Sequence, residues 1–233
     1  MKLIVNEEAP DRYMLASAIL LYQTENRNAL AVEHDIHANG GTPRLGAGRF
    51  VTETFVAKLL EMLDSTPLSY IPEHVVAVNR DAVAWWMPAG TRPMFFRSAP
   101  DVAVNAFDGK HIAQPPLVFV ARRRALRVFA LMANERPTLG TKLAHAPYFN
   151  VSDAGNVCLG SMHLPKAMNP DDTEKWTHAF FASEFTHFNG TSKRWAHTGT
   201  YAELLADLSR EGTFRSQWLK STSLTLKDAI DSR

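Results

Sequence analysis

Residues Leu117–Met132 read Leu-Val-Phe-Val-Ala-Arg-Arg-Arg-Ala-Leu-Arg-Val-Phe-Ala-Leu-Met, two runs of branched and aromatic side chains separated by three arginines. Such runs favour β-strands, and a short polar interruption between them is typical of a turn. We therefore predict two antiparallel strands, Leu117–Ala121 and Leu126–Met132. The arginines Arg122–Arg124 either form a solvated turn or provide a docking patch for an acidic partner.

Three shorter runs of the same type precede this pair of strands. They are Val75–Val78, Val83–Met87 and Met94–Arg97, and prolines and glycines lie between them. Short strands punctuated in this way indicate an antiparallel meander sheet.

The N-terminal part contains another group of β-rich runs. Ala16–Gln23 and Ala29–Asp35 flank a polar segment, which predicts an N-terminal β-hairpin. Asn39–Gly48 contains four glycines and a proline, so we predict a loop there. Apolar residues at helical spacing then predict an amphipathic helix over residues 52–64, with Thr52 or Thr54 as its N-cap.

Helix signals return after Pro165. Asn169 followed by Pro170 and two aspartates predicts a helix start, and a second helix is predicted from about Tyr201 to Arg210. The first helix should turn Trp176 and Phe180 inward, with Ala179 and Ser183 as further candidates. The second should have Thr198 or Thr200 as its cap and should bury Leu204, Leu205 and Leu208. Strands followed by helices predict an α+β fold in which helices pack on the sheet.

The composition excludes several classes of protein. Twenty-five Lys and Arg against 24 Asp and Glu give a net charge of +1, which argues against a nucleic-acid-binding face. The longest apolar run near the start, Leu15–Tyr22, is far shorter than the roughly 20 residues that cross a bilayer, so we expect no membrane association. A single cysteine fits a reducing cytoplasm. His34 and His37 read as a strand end and turn, and we expect neither a metal nor another cofactor.

The region Glu135–Pro165 has few periodic signals and reads as a long structured loop, a kind of segment that is often functional. It contains the only cysteine, Cys158, three residues after Gly155. A lone cysteine is either a small buried hydrophobic residue or a nucleophile. The amide of Asn150 can bond the loop backbone or stabilise an oxyanion.

The stretch His145-Ala-Pro-Tyr-Phe-Asn150-Val-Ser-Asp-Ala-Gly155-Asn-Val-Cys158-Leu-Gly160 resembles a segment of the ubiquitin-conjugating enzymes. In that family a His-Pro-Asn element precedes a glycine turn, a hydrophobic residue, the catalytic cysteine and a leucine. The residues that match in order are Pro147, Asn150, Gly155, Val157, Cys158 and Leu159. Two residues separate Pro147 from Asn150 here, and Gly160 replaces a position that is often acidic in those enzymes.

A closer resemblance is to the B proteins of the PRTRC cassette, a group of bacterial and often plasmid-borne genes. These proteins are ubiquitin-conjugating-enzyme-like and are grouped as prokaryotic conjugating-enzyme family D. The segments that carry this resemblance are Leu45–Arg49, Ala84–Pro88, Phe129–Leu131, Glu135–Pro137, Phe149–Val151, Val157–Ser161 and Ala179–His187.

The resemblance implies a ubiquitin-conjugating-enzyme-like domain over residues 49–233, with residues 1–48 as an N-terminal hairpin extension and loop. It implies that Cys158 accepts a ubiquitin-like protein as a thioester, with Asn150 and His145 as further site residues. The implied partners are the ubiquitin-like small protein and the adenylating enzyme of the ubiquitin-activating type that the cassette encodes.

Two other interpretations stay open. In the first, the domain is a noncatalytic module that holds a ubiquitin-like protein or an activating enzyme, with Cys158 packed inside. Alternatively, Cys158 acts with a histidine as a hydrolase, which requires a histidine nitrogen within hydrogen-bond reach of the sulfur. His163 and His187 are candidates for that histidine, and Asp153 either steers an acceptor amine or stabilises its turn.

Overall fold

We describe the protein from a computed structural model. The structure describes residues 16–24, 29–37, 42–63, 70–123, 125–160, 162–165, 169–189 and 193–232. The predicted turn at 25–28, the start of the predicted loop at 39–41 and Arg124 lie outside these ranges. The chain divides into two compact units, Met1–Ser69 and Tyr70–Arg233. These units reflect contacts within the chain, so the predicted boundary between an extension and a family domain at residues 48 and 49 stays a prediction.

The first unit contains a three-stranded antiparallel sheet followed by a helix. The strands β1 (Ser17–Gln23), β2 (Ala29–His37) and β3 (Arg44–Phe50) pair in the order β1-β2-β3. Helix α1 spans Glu53–Leu63, close to the prediction. Thr52 begins it, because the Thr52 hydroxyl accepts the Phe55 backbone N–H at 3.2 Å.

The prediction of a loop at Asn39–Gly48 is wrong for residues 44–48, which belong to β3. A Cβ atom at Gly46 would lie 2.7 Å from Nε2 of His37, and one at Gly48 would lie 2.7 Å from Cγ1 of Val32. The two glycines therefore let side chains of β2 lie close against β3, and they do not form a turn.

The second unit contains ten strands and three helices in its described residues. The strands are β4 (Val75–Asn79), β5 (Ala82–Met87), β6 (Gly90–Pro93), β7 (Phe95–Phe96), β8 (His111–Gln114), β9 (Leu117–Arg122), β10 (Ala125–Leu131), β11 (Lys142–His145), β12 (Glu184–Phe185) and β13 (Ser221–Thr225). The helices are α2 (Thr173–Phe181), α3 (Tyr201–Glu211) and α4 (Leu226–Asp231). In the described ranges every helix is too short or too polar to cross a bilayer.

The main sheet has six strands in the order β13-β11-β10-β9-β5-β4, and every neighbouring pair is antiparallel. The predicted α+β class and the antiparallel order of β4, β5, β9 and β10 are confirmed. The strand predicted at Met94–Arg97 is not in this sheet, because β7 pairs in parallel with β12. The backbone of Met94 bonds Lys110 and Gly109 instead of a strand of the main sheet.

The alternation of side chains gives the sheet two buried faces. One face carries Trp85 and Phe119, whose rings stack at 5.1 Å, and packs against Trp176 and Phe180 of α2. The other face carries Val118 and packs against α4, which contributes Leu226 and Ala229. Beyond the end of β11, the chain forms further backbone bonds to the first residues of β10.

Helix α2 begins later than predicted. Residues Pro170–Asp172 form a single 3₁₀ turn, and Asn169 makes no side-chain capping bond. Trp176 and Phe180 are buried as predicted, while Ser183 lies beyond the helix end. The buried face also includes Thr177 and Phe181.

The structure confirms the predicted helix from Tyr201 to about Arg210, which is α3. Thr200 and Glu203 form a reciprocal capping box at its start, and Leu204, Leu205 and Leu208 are buried. Gly212 ends the helix in the left-handed conformation, with φ of 68°.

The arginines of the turn between β9 and β10 bond to other residues of the same chain. Arg122 donates to the carbonyl of Ile230 near the end of α4, where a cation complements the helix dipole. Arg123 pairs with Asp81 at 2.7 Å. These contacts favour the interpretation as a turn over a docking patch.

Candidate active site

The loop that carries Cys158 is a tight turn whose two ends pair with each other. Val151 and Val157 form an antiparallel bridge, and the Ser152 N–H donates to the Asn156 carbonyl at 2.8 Å. The Cys158 N–H donates to the Asn150 carbonyl at 2.7 Å. The backbone on both sides of the cysteine is therefore held by hydrogen bonds.

The turn continues the main sheet beyond the end of β11. The Val157 N–H donates to the Leu126 carbonyl, and the Val128 N–H donates to the Gly155 carbonyl, both at 2.9 Å. These bonds join the turn to the part of β10 that β11 does not reach. The position of Cys158 therefore follows directly from the position of β10.

Gly155 makes this close approach possible. Its φ is +82°, and a Cβ atom there would lie 2.5 Å from Cζ of Phe129. Only glycine meets both requirements without strain. Arg127 of β10 also holds the turn, because its guanidinium donates to the Ala154 carbonyl at 3.0 Å.

Cys158 is exposed, whereas Val157 before it is buried and Leu159 after it packs partly against the core. A buried, inert cysteine would have its side chain among the core residues. The exposed position instead gives a partner protein access to this residue, as the transferase interpretation requires.

Asn150 is the residue directly before the Val151–Val157 bridge and is 7% exposed. Its Nδ2 donates to the Glu184 carbonyl at 2.6 Å, and its Oδ1 accepts the Thr186 N–H at 3.2 Å. The side chain therefore joins the Cys158 turn to β12. The bond to Glu184 uses one of the two Nδ2 hydrogens, so the amide retains a second donor.

His145 ends β11, and its N–H donates to the Lys220 carbonyl at 2.9 Å. Partial burial lowers the pKa of its imidazole, Asp153 opposes this shift, and the cations Lys220 and Arg194 add to it. The lowered pKa favours the uncharged form of the His145 imidazole.

Arg194 is a site residue that the sequence did not reveal. Its guanidinium is fully buried and donates to the carbonyls of Tyr148 at 3.0 Å and Asn189 at 2.9 Å, with Asp153 at 3.3 Å. Burial lowers its pKa, while the Asp153 carboxylate opposes that shift. A single arginine before a tryptophan carries no recognisable pattern, so no signal pointed to it.

The other polar candidates bond groups other than the Cys158 sulfur or line a separate groove. Nδ1 of His187 pairs with the Thr186 hydroxyl at 2.9 Å, and Asp153 faces Arg194. His163 lines a groove of about 900 Å³ between residues 162–165 and α2. In the described part of the chain, no hydrogen bond joins a histidine to the Cys158 sulfur, so nothing here favours the hydrolase interpretation. The same residues contain no cluster of three or more potential metal ligands.

Comparison with known proteins adds one finding to this geometry. The model of prokaryotic E2 family D matches residues 52–222, a range that includes Cys158, its turn and most of the main sheet. The chain belongs to prokaryotic E2 family D. Membership of this E2 family confirms the predicted relation to prokaryotic conjugating-enzyme-like proteins and supports a conjugating-enzyme-like role. No curated protein and no solved structure matches this E2-family chain.

Proposed function

We propose that this protein carries a ubiquitin-like protein as a thioester on Cys158. The observation that carries the proposal is the exposed cysteine on a backbone turn fixed to β10, in a chain of the E2 family. An exposed thiol on an ordered turn can receive a large acyl donor without rearrangement of the core.

The proposed transfer has two steps. The Cys158 thiolate attacks the thioester carbonyl on the activating enzyme, forms a new carbon–sulfur bond and releases the enzyme's cysteine thiolate, which takes up a proton. An acceptor amine then attacks the Cys158 thioester, forms an amide and releases the Cys158 thiolate. The proton lost by the amine passes to solvent, so the chain needs no strong base.

We assign Asn150 and His145 supporting roles in these steps. The second Nδ2 hydrogen of Asn150 is the proposed donor to the oxyanion, a contribution on the order of 3 to 4 kcal/mol for such donors. His145 is the last residue of β11, the strand that precedes the turn. Its lowered pKa favours the uncharged imidazole, which adds no positive charge beside Arg194.

The proposed partners and location follow from the resemblance to the B proteins of the PRTRC cassette. We propose that the protein is a cytoplasmic B protein of a PRTRC cassette, with a ubiquitin-conjugating-enzyme-like domain over residues 49–233 and an N-terminal hairpin extension. Its partners are the cassette's adenylating enzyme and its ubiquitin-like protein. The matched family range begins at residue 52, which supports placing the start of the domain close to α1.

Loading of Cys158 tests the proposal. The purified protein, the adenylating enzyme, the ubiquitin-like protein and ATP are mixed and separated on gels with and without reductant. We expect an adduct that disappears on reduction, because a thioester is cleaved by thiols. Cys158→Ala should form none, and Cys158→Ser should form at most an ester that resists reductant.

Loading must be judged beside the activating enzyme's own thioester. If that enzyme charges itself and the folded protein still receives nothing, the carrier function is wrong. Binding of the ubiquitin-like protein without transfer would then identify a noncatalytic module.

Asn150→Asp tests the role of the amide. This variant keeps an oxygen for the Thr186 N–H but removes the Nδ2 donor, so we expect discharge of a preformed thioester to free lysine to slow by about 100- to 1000-fold. Urea unfolding of the same variant serves as the control. An unchanged discharge rate in a folded variant would show that the amide does not stabilise the oxyanion.

A further inference from the structure

A buried cation lies behind the turn that carries Cys158. Arg194 is 0% exposed, and its backbone is held by neighbouring bonds: Trp195 bridges to Leu219, and the Ala196 N–H donates to the Trp218 carbonyl at 2.8 Å. The guanidinium carbon lies 4.0 Å from the centre of the Phe188 ring. The backbone bonds of the neighbouring residues and the Phe188 ring therefore both restrict the position of the Arg194 side chain.

The guanidinium bonds run to the residues that lead into the turn and to the tip of the turn. Nη2 donates to the carbonyls of Tyr148 and Phe149, at 3.0 and 3.4 Å, which are the two residues before Asn150. Nη1 donates to Asp153, at the tip of the turn, at 3.3 Å. The planar fork of an arginine can make these bonds at once, and a lysine ammonium cannot reproduce them.

These bonds reach Cys158 through one residue. The Asn150 carbonyl receives the Cys158 N–H at 2.7 Å, and Asn150 directly follows the two residues that Arg194 holds. Arg194 is therefore connected to the acceptor of the Cys158 N–H by its hydrogen bond to Phe149 and one peptide link.

We propose that Arg194 is a positioning residue for Cys158: its guanidinium holds residues 148–153 in the conformation that presents the thiol, with Asp153 as its counter-ion. This role rests on the proposed carrier function. Arg194 takes no part in bond making, and its effect passes through Asn150.

The test is single-turnover transfer from the charged activating enzyme to Cys158, measured over a range of donor concentrations. Arg194→Lys keeps the charge and loses the fork. We expect its limiting rate to fall by about tenfold or more, because displacement of a reacting group by about 1 Å costs up to about 100-fold. The half-saturating donor concentration should stay within about twofold of the original, because Arg194 is buried.

Arg215→Lys is the matched control. Arg215 also uses its fork, on Glu211 at 2.7 Å, but lies four residues beyond the end of α3, and its replacement should leave the limiting rate unchanged. A limiting rate for Arg194→Lys equal to that of the control, or a change confined to the half-saturating concentration, overturns the proposal. Should Arg194→Lys fail to fold, Asp153→Ala decides, because it removes the acceptor of the Nη1 bond: a slower limiting rate supports the clamp and an unchanged one refutes it.

A second readout separates this proposal from the function on which it rests. Hydrogen exchange of the Cys158 amide needs no partner protein, and it should be faster in Arg194→Lys than in the original chain while α3 amides are unchanged. If the original chain never loads, the carrier function fails, and exchange alone shows whether Arg194 holds the turn. Exchange that does not change removes the clamp as well.

Discussion

Replacing Gly155 by alanine is expected to lower the free energy of unfolding of the second unit by about 3 kcal/mol. The left-handed backbone, with φ of +82°, costs an alanine about 1 to 2 kcal/mol. The added Cβ atom would also lie 2.5 Å from the Phe129 ring, and such overpacking costs a further 1 to 3 kcal/mol or so. Urea unfolding followed by tryptophan fluorescence measures the change, since all five tryptophans lie between residues 85 and 218.

Gly160→Ala is the matched control for this measurement. Gly160 also has a positive φ, of +45°, but a Cβ atom there would meet nothing within 4 Å. Only the backbone term applies, so we expect a loss of about 1 kcal/mol. Equal losses for the two variants would show that Phe129 does not hold the turn as closely as the structure indicates.

Replacing Phe180 by alanine is expected to cost about 3 to 5 kcal/mol, the range for removal of a fully buried aromatic ring. Phe180 is 0% exposed, and its ring contacts four others at centroid distances of 5.1 to 5.6 Å. Those rings belong to Phe119, Tyr148, Phe181 and Phe185. The ring therefore joins the main sheet and α2 to β12 and to Tyr148, which lies two residues before Asn150.

Phe95→Ala provides the comparison for Phe180. Phe95 is 37% exposed, and its removal should cost roughly 1 kcal/mol or less, as is usual for partly exposed positions. Both variants are measured by the same urea unfolding. A small loss at Phe180 would mean that the aromatic cluster rearranges to fill the space.

The elements of the fold that could be predicted are indicated by residues that lie close together in the sequence. Thr200 and Glu203 lie three residues apart and cap each other, so the start of α3 could be read from a short window. The runs at Leu117–Ala121 and Leu126–Met132 likewise contain the residues that pair with one another.

The parts that were not predictable depend on residues far apart in the sequence. Strands β11 and β13 are four and five residues long and lie almost 80 positions apart, so neither shows a pattern by itself. The glycines of β3 read as a loop because their purpose, room for β2 side chains, is visible only after pairing.

The candidate site likewise has residues that the sequence identifies and contacts that it does not. Cys158, Asn150 and Gly155 stand in one short segment and could be found from the sequence. Asn150, however, bonds the backbone 34 and 36 positions away, and Arg194 reaches Tyr148 across 46 positions. Such contacts are fixed by the folded core and leave no spacing to recognise.

The hydrogen bond from the Cys158 N–H to Asn150 has a consequence for the entropy of any reaction at this residue. The backbone that bears the thiol lost its conformational freedom when the chain folded, at a cost on the order of 1 to 2 kcal/mol per residue. That loss does not recur when a partner arrives. An incoming acyl group therefore needs to order only itself and one short side chain, because folding has already ordered the rest of the nucleophile.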